Sequence, residues 1–310
     1  METSSRCFKH IGVYEMIWTI WSMGCILSYR WGIKGLRQLS FNQRIYEDSP
    51  ESHQKKQGTP TMGGCIIFSC FLIGALILNQ WNMSTMWVVA TTTLFCVIGA
   101  VDDGLSLKRK SNKGLSARAK FMCQIIVSSI MVGVLYQWIK PIHWAEALLY
   151  VFLLTGTSNA TNLTDGVDGL LGSTMLVSLI GMVVVLQSQW MFEEMRLTYI
   201  MMASIGFFLL FNWQPAKLFM GDVGSLMLGA FLAAMAISSG VWWMLIGFGA
   251  IYIIETLSVI IQVVSYKLRK KRVFLMTPLH HHFELLGMND RSVVALFATL
   301  QAGFTFIQLL

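Results

Sequence analysis

The stretch from Val223 to Ile254, VGSLMLGAFLAAMAISSGVWWMLIGFGAIYII, runs for 32 residues without an Asp, Glu, Lys or Arg. As one helix it would reach roughly 48 Å, well past the about 30 Å hydrocarbon core of a bilayer. It must therefore break, and Ser238-Ser239-Gly240 is the natural place, giving spans near Val223–Ile237 and Val241–Tyr266. On either side lie further uncharged runs: Thr61–Trp81, Met83–Val101, Phe121–Ile139, Gly169–Phe192, Leu197–Ala216 and Ser292–Leu310. Each is close to the about 20 residues a crossing helix needs. Two weaker runs, Ile11–Tyr29 with Glu15 and Trp144–Gly156 with Glu146, bring the expectation to about ten transmembrane helices. The fold class expected is an all-α polytopic integral membrane protein, a single transmembrane domain over residues 1–310.

Composition agrees. Of 310 residues 55% are hydrophobic and 13% charged, too little charge to cover a water-facing surface. No small-x-small cleavage site follows Leu27, so the first run is expected to stay as a helix rather than leave as a signal peptide. The six cysteines form no C-x-x-C pair and read as small hydrophobes inside helices.

Ten helices define alternating aqueous segments, and the basic residues sort between them. One set holds Lys34, Arg37, Arg44, Lys55, Lys56, Lys108, Arg109, Lys110, Lys113, Arg118, Lys120, Lys217, Lys267, Arg269, Lys270, Lys271, Arg272 and Arg291. The other holds Arg6, Lys9, Lys140 and Arg196, with Arg30 at the border. This asymmetry of 18 to 4 puts the first set in the cytoplasm and both termini outside. The net charge of +7 is then a property of the cytoplasmic face, and basic groups split among loops make no continuous stripe for nucleic acid. All seven aspartates fall on the same face, most of them beside a helix end and a glycine. Acids next to hydrocarbon are costly, so a function is expected to offset them.

Five cytoplasmic segments carry the candidate chemistry. Val101-Asp102-Asp103-Gly104 ends the third span; paired carboxylates need a cation or a shared proton, unless they only mark a solvated helix end beside Lys108. In Asn159-Ala160-Thr161-Asn162-Leu163-Thr164-Asp165-Gly166-Val167-Asp168-Gly169 the polar residues recur every third position. On a helix or tight turn they would form one edge for a sugar, a nucleoside or a hydrated metal, the plainer reading being a capped helix start. Asp222 opens an apolar helix, where a carboxylate caps amides or binds a hard cation, and Phe219 three residues earlier is a platform for a flat base. Three histidines, His280, His281 and His282, cannot all ligate one metal from a regular helix; phosphate contact or proton transfer suits them better. Lys55 to Gly64 opens the second span with a lysine and amides suited to a phosphate, without the Gly-Lys-Ser/Thr of a Walker loop. Together this is the kit of a metal-dependent phosphoryl transfer at a membrane surface, with one soluble and one lipid-borne reactant.

These loops, in this order from about Lys55 to the C-terminus, resemble the polyprenyl-phosphate N-acetylhexosamine-1-phosphate transferases. Lys55 to Gly64 and Pro278-Leu279-His280-His281-His282-Phe283-Glu284 resemble the muramoyl-pentapeptide branch of that superfamily. The resemblance implies a Mg2+-dependent enzyme of bacterial peptidoglycan synthesis in the inner membrane, its active site facing the cytoplasm. It would move phospho-N-acetylmuramoyl-pentapeptide from UDP-N-acetylmuramoyl-pentapeptide to undecaprenyl phosphate, with release of UMP and formation of lipid I. The implied catalytic set is Asp102, Asp103, Asp222 and His280, with Asp222 holding the metal and the two adjacent aspartates facing the lipid phosphate. Lys55, Thr59, Asn162, Asp165, Asp168, Asn212, Phe219, Gln262, His280, His281 and His282 would line the nucleotide-sugar cleft, and Lys108 and Lys113 would face phosphates. The implied partners are the two substrates and the bilayer, with a homodimer as a further candidate and no nucleic acid.

Three other readings stand against it, of which a CDP-alcohol phosphotransferase lacks the arginine expected soon after its Asp-Gly at both Asp103-Gly104 and Asp168-Gly169. A sister enzyme using UDP-N-acetylglucosamine would lack the Pro278–Glu284 signature. A secondary transporter would carry acids mid-helix, and of Glu15, Glu146 and Glu255 the last alone is well inside a span.

Overall fold

The computed structural model describes residues 2–38, 58–109 and 114–310, with side chains from Glu15 onward. Lys55 and Lys113 lie outside the described residues. Those described form helices and connecting turns, without a β-sheet. The long helices are α1 (Glu2–Gln38), α2 (Gly63–Leu78), α3 (Met83–Lys108), α4 (Ala117–Trp138), α5 (Trp144–Thr164), α6 (Leu170–Ser188), α7 (Phe192–Asn212) and α8 (Gly221–Ser238). A 3₁₀ turn at Trp242–Met244 leads to the short α9 (Leu245–Phe248), then α10 (Ala250–Arg269), the seven-residue α11 (Leu279–Leu285) and α12 (Asp290–Leu309). Seven of them (α3, α4, α6, α7, α8, α10 and α12) are long and apolar enough to cross a membrane, and α2 is a shorter apolar helix.

Burial orders these helices. In α8, 83% of the apolar window is inside the protein, against 28% in α4, α10 and α12, so α8 is the central helix and those three are peripheral. Apolar association in lipid depends on close packing rather than on exclusion of water, which favours small residues at crossings. The composition of α8 is suited to this, with Gly224, Ser225, Gly229, Ala230, Ala233, Ala234 and Ala236 all buried. A Cβ on Gly99 of α3 would collide with the Asp222 carbonyl, and one on Gly64 of α2 with the backbone of Gly224. Both neighbours therefore touch the first turn of α8 backbone to backbone. Peripheral helices instead expose apolar side chains, such as Met122, Ile126 and Ile130 on α4 and Leu257, Ile260 and Val264 on α10, as surfaces that face lipid do.

The expected break after Ile237 occurs where α8 ends at Ser238 and Gly240 takes a left-handed φ of 72°. The expected span Val241–Tyr266 is itself divided. Its first third is the 3₁₀ turn and α9, and the continuous helix begins only after Gly249, whose amide bonds back to Leu245 O at 2.8 Å. Two glycines in three residues, Gly247 and Gly249, weaken the helix there. The run Trp144–Gly156 extends differently, because α5 carries on through Asn159 and Asn162 to Thr164.

Candidate active site

The C-terminal ends of α3 and α5 meet the N-terminal ends of α4 and α8 on one side of the bundle. Asp102 and Asp103 lie more than a turn before the end of α3, which runs on past the expected stop to Lys108; Asn162 lies in the last turn of α5, Lys120 in the first turn of α4, and Asp222 opens α8. One oxygen from each of Asp102, Asp103 and Asp222 lies within 4.8 Å of the others. Lys120 Nζ reaches Asp102 Oδ2 at 3.1 Å and also pairs with Asp222 Oδ2. Asn162 Nδ2 donates to Asp222 Oδ1 at 2.7 Å and to Ser225 Oγ at 2.9 Å. Asp103 Oδ2 accepts the Val223 amide at 3.2 Å, at the positive end of the α8 dipole. Asp102 Oδ1 accepts the Leu115 amide at 2.7 Å, which ties the α3–α4 loop to the cluster.

One ammonium among three carboxylates leaves an excess of negative charge. Hard oxygen donors converging in this way fit a divalent cation such as Mg2+ better than a soft or nitrogen-seeking metal. Asp165, just past α5, lies near the same cluster. Burial and the charges of Asp222, Asp103 and Asp168 push its carboxyl well above the usual carboxylate range.

The edge of polar residues at every third position from Asn159 is divided by the fold. Asn162 faces Asp222, whereas Asn159 Nδ2 bonds Gln124 Oε1 at 2.6 Å in the α4–α5 interface. Asp165 caps the C-terminus of α5 rather than starting a helix. Asp168 Oδ2 accepts the Ala216 amide at 3.3 Å, so it steadies the loop after α7. Asn212 steadies the same loop, accepting from Gly169 N at 2.8 Å and donating to Leu218 O at 2.9 Å. That loop presents the half-buried Phe219, whose amide bonds Pro60 O at 2.9 Å beside Thr59 and whose carbonyl accepts Gly63 N at 2.8 Å. The fold thus brings the Thr59 segment against Phe219, while Lys108 stands exposed at the last turn of α3.

The three histidines point different ways. His280 is fully buried with Nδ1 3.2 Å from Glu255 Oε1; His281 Nδ1 lies 2.6 Å from Glu284 Oε2; His282 Nδ1 accepts Leu275 N at 3.2 Å. Gln262 holds the loop before them, accepting from Val273 N at 2.8 Å and Phe274 N at 3.0 Å and donating to Phe274 O at 2.9 Å. Its side chain braces the histidine loop rather than standing open for a ligand.

Sequence reasoning did not single out Lys120 or Ser225, and it noted Glu255 only as an acid inside a span. A lysine opening an apolar helix, opposite an Asp-Asp pair on the preceding one, was the available signal for Lys120.

Comparison with known proteins places the sequence in a family. The family model for glycosyl transferase family 4 covers residues 85–240, just over half of the chain and all of α4 to α8. Residues 56–68 match phospho-N-acetylmuramoyl-pentapeptide-transferase signature 1. The chain is 39% identical over 283 residues to the phospho-N-acetylmuramoyl-pentapeptide-transferase of Geobacillus thermodenitrificans, covering 84% of this chain and 86% of that one. It is 40% identical over 281 residues to that of Bacillus pumilus, covering 85% and 87%. Against that of Bacillus subtilis it is 37% identical over 279 residues, covering 84% and 86%. With the signature, the family model and relatives matched over most of their length in agreement, the chain belongs to the phospho-N-acetylmuramoyl-pentapeptide-transferase family.

Proposed function

We propose that this protein transfers phospho-N-acetylmuramoyl-pentapeptide from UDP-N-acetylmuramoyl-pentapeptide to undecaprenyl phosphate, releasing UMP and forming lipid I for peptidoglycan synthesis. The observation that carries the reading is the convergence of Asp102, Asp103, Asp222, Asn162 and Lys120 at one end of the bundle, in a chain of this family. Asp222, with Asp102 and Asp103 beside it, would hold Mg2+. When bound, the ion supplies positive charge to the phosphates during transfer. Asp102 and Asp103 face the lipid phosphate, and Lys108 and Lys113 serve the same anionic groups. Lys55, Thr59, Asn162, Asp165, Asp168 and His280 to His282 form the nucleotide-sugar side, where Phe219 stacks on uracil while Asn212 and Gln262 brace the loops. Catalysis of this kind is mostly positioning and charge stabilisation, which a rigid cluster of helix ends can supply.

The proposed setting is a bacterial inner membrane, crossed ten times by one catalytic domain over residues 1–310, with both termini outside and the site toward the cytoplasm. The distribution of basic residues supports that orientation, and a nucleotide-sugar substrate requires it. The signature match at residues 56–68 favours the muramoyl-pentapeptide substrate over UDP-N-acetylglucosamine. The deciding experiment offers purified protein and undecaprenyl phosphate each nucleotide in radiolabelled form, with and without Mg2+. Label should pass into lipid from UDP-N-acetylmuramoyl-pentapeptide and need the metal. Label arriving from UDP-N-acetylglucosamine instead would overturn the substrate assignment.

A further inference from the structure

Glu255 lies in the second turn of α10 with no exposed surface. An ionised side chain buried in an apolar helix is costly, and one that persists there usually has a specific partner. Here the partner is α11. Glu255 Oε2 accepts the Leu279 amide at 2.6 Å, and Oε1 accepts the His280 amide at 3.2 Å while lying 3.2 Å from His280 Nδ1. The N-cap of α11, Pro278, offers no side-chain bond of its own, so its cap comes from another helix. Two amide contacts would suffice for a cap. The third contact, to the ring, does something more.

A neutral imidazole has one N–H and one lone pair, and whichever nitrogen donates sets the role of the other. A carboxylate accepts only, so the Glu255 contact makes Nδ1 the donor. His280 Nε2 is buried and has no hydrogen-bond partner among the described residues. It lies against Gly166, where a Cβ would collide with it, in the turn between Asp165 and Asp168. We propose that Glu255 is a positioning residue for His280, holding its imidazole so that Nε2 faces the Asp165–Asp168 turn, where the nucleotide-sugar binds. The inference rests on the reading that His280 serves that substrate.

The test is a double-mutant cycle in the lipid I assay. Glu255→Gln keeps the size of the side chain but no longer dictates which ring nitrogen donates. It should lower kcat/KM on the order of 10- to 100-fold, as loss of an orienting partner does. In a His280→Ala background the same change should cost less than about twofold, because there is no ring left to orient. Glu255→Asp, which keeps a carboxylate, should recover part of the loss and replaces Glu255→Gln in the cycle if the latter does not fold. Gly166→Ala reaches the ring from the opposite side without touching Glu255, and should also cost activity only while His280 is present. Equal losses in both backgrounds would mean that Glu255 merely caps α11, and would overturn the proposal. So would full activity of Glu255→Gln or Gly166→Ala. A wild-type protein that transfers no label defeats the functional reading and this inference together; an active wild type with an additive cycle defeats the inference alone.

Discussion

Asn162 Nδ2 donates to Asp222 Oδ1 at 2.7 Å, joining the last turn of α5 to the first turn of α8 across 60 residues of chain. With Lys120 on the other oxygen, the Asp222 carboxylate is held at both ends before any substrate arrives. Asp222→Asn should therefore remove at least about 99% of activity and flatten the Mg2+ dependence, since a neutral amide is a much poorer ligand for a hard dication. Asn162→Ala removes a bond to a charged group, worth about 1.5–3 kcal/mol, and should cost roughly tenfold to hundredfold in rate. Rates measured across a Mg2+ titration check both. Wild-type activity of Asp222→Asn at low Mg2+ would remove Asp222 from the metal site.

Gly99 has no room for even one methyl group against the Asp222 carbonyl. Gly99→Ala must push α3 away from α8, at a cost of about 1–3 kcal/mol for overpacking. The change falls on the backbone of Asp222 itself, so activity should drop further than a lowered Tm explains. Thermal unfolding in detergent and a transfer assay below the Tm separate the two effects.

Asp165 gives the cation-free protein a defined pH response. Its carboxyl in the folded state is raised, by burial first and then by Asp222, Asp103 and Asp168, above the about 3.9 of an unfolded chain. The folded state then binds the proton more tightly. Its contribution is fully present below the unfolded value and is lost as pH rises through the folded one. In chelator, Tm should fall as pH climbs from about 4 upward, and Asp165→Asn should flatten that slope. Identical slopes for the two proteins would show that Asp165 is not strained by its neighbours.

The orientation of the bundle is checked by labelling, in a background without the six native cysteines. Ala117→Cys at the exposed start of α4 should be protected from an impermeant thiol reagent in intact cells, and Gln80→Cys between α2 and α3 should react. The reverse pattern would move the candidate site to the outer face.

Much of this protein is written locally. Membrane spans announce themselves because a bilayer tolerates few charges over about 20 residues, so absence of charge is itself a readable signal. The break after Ile237, the aspartates near helix ends and the position of Phe219 three residues before Asp222 all follow from short stretches of chain. The tertiary structure decided which of those polar groups meet. Asn159 and Asn162 look equivalent in sequence, yet the rotation of α5 against α4 and α8 sends one to Gln124 and the other to Asp222. Lys120 reads as one more cytoplasmic cation until α4 carries it against Asp102 and Asp222. Glu255 reads as an isolated buried acid until α11 folds back onto it. In each case the partner lies on another helix, and the pairing is set by how the helices pack against one another, which no local pattern records.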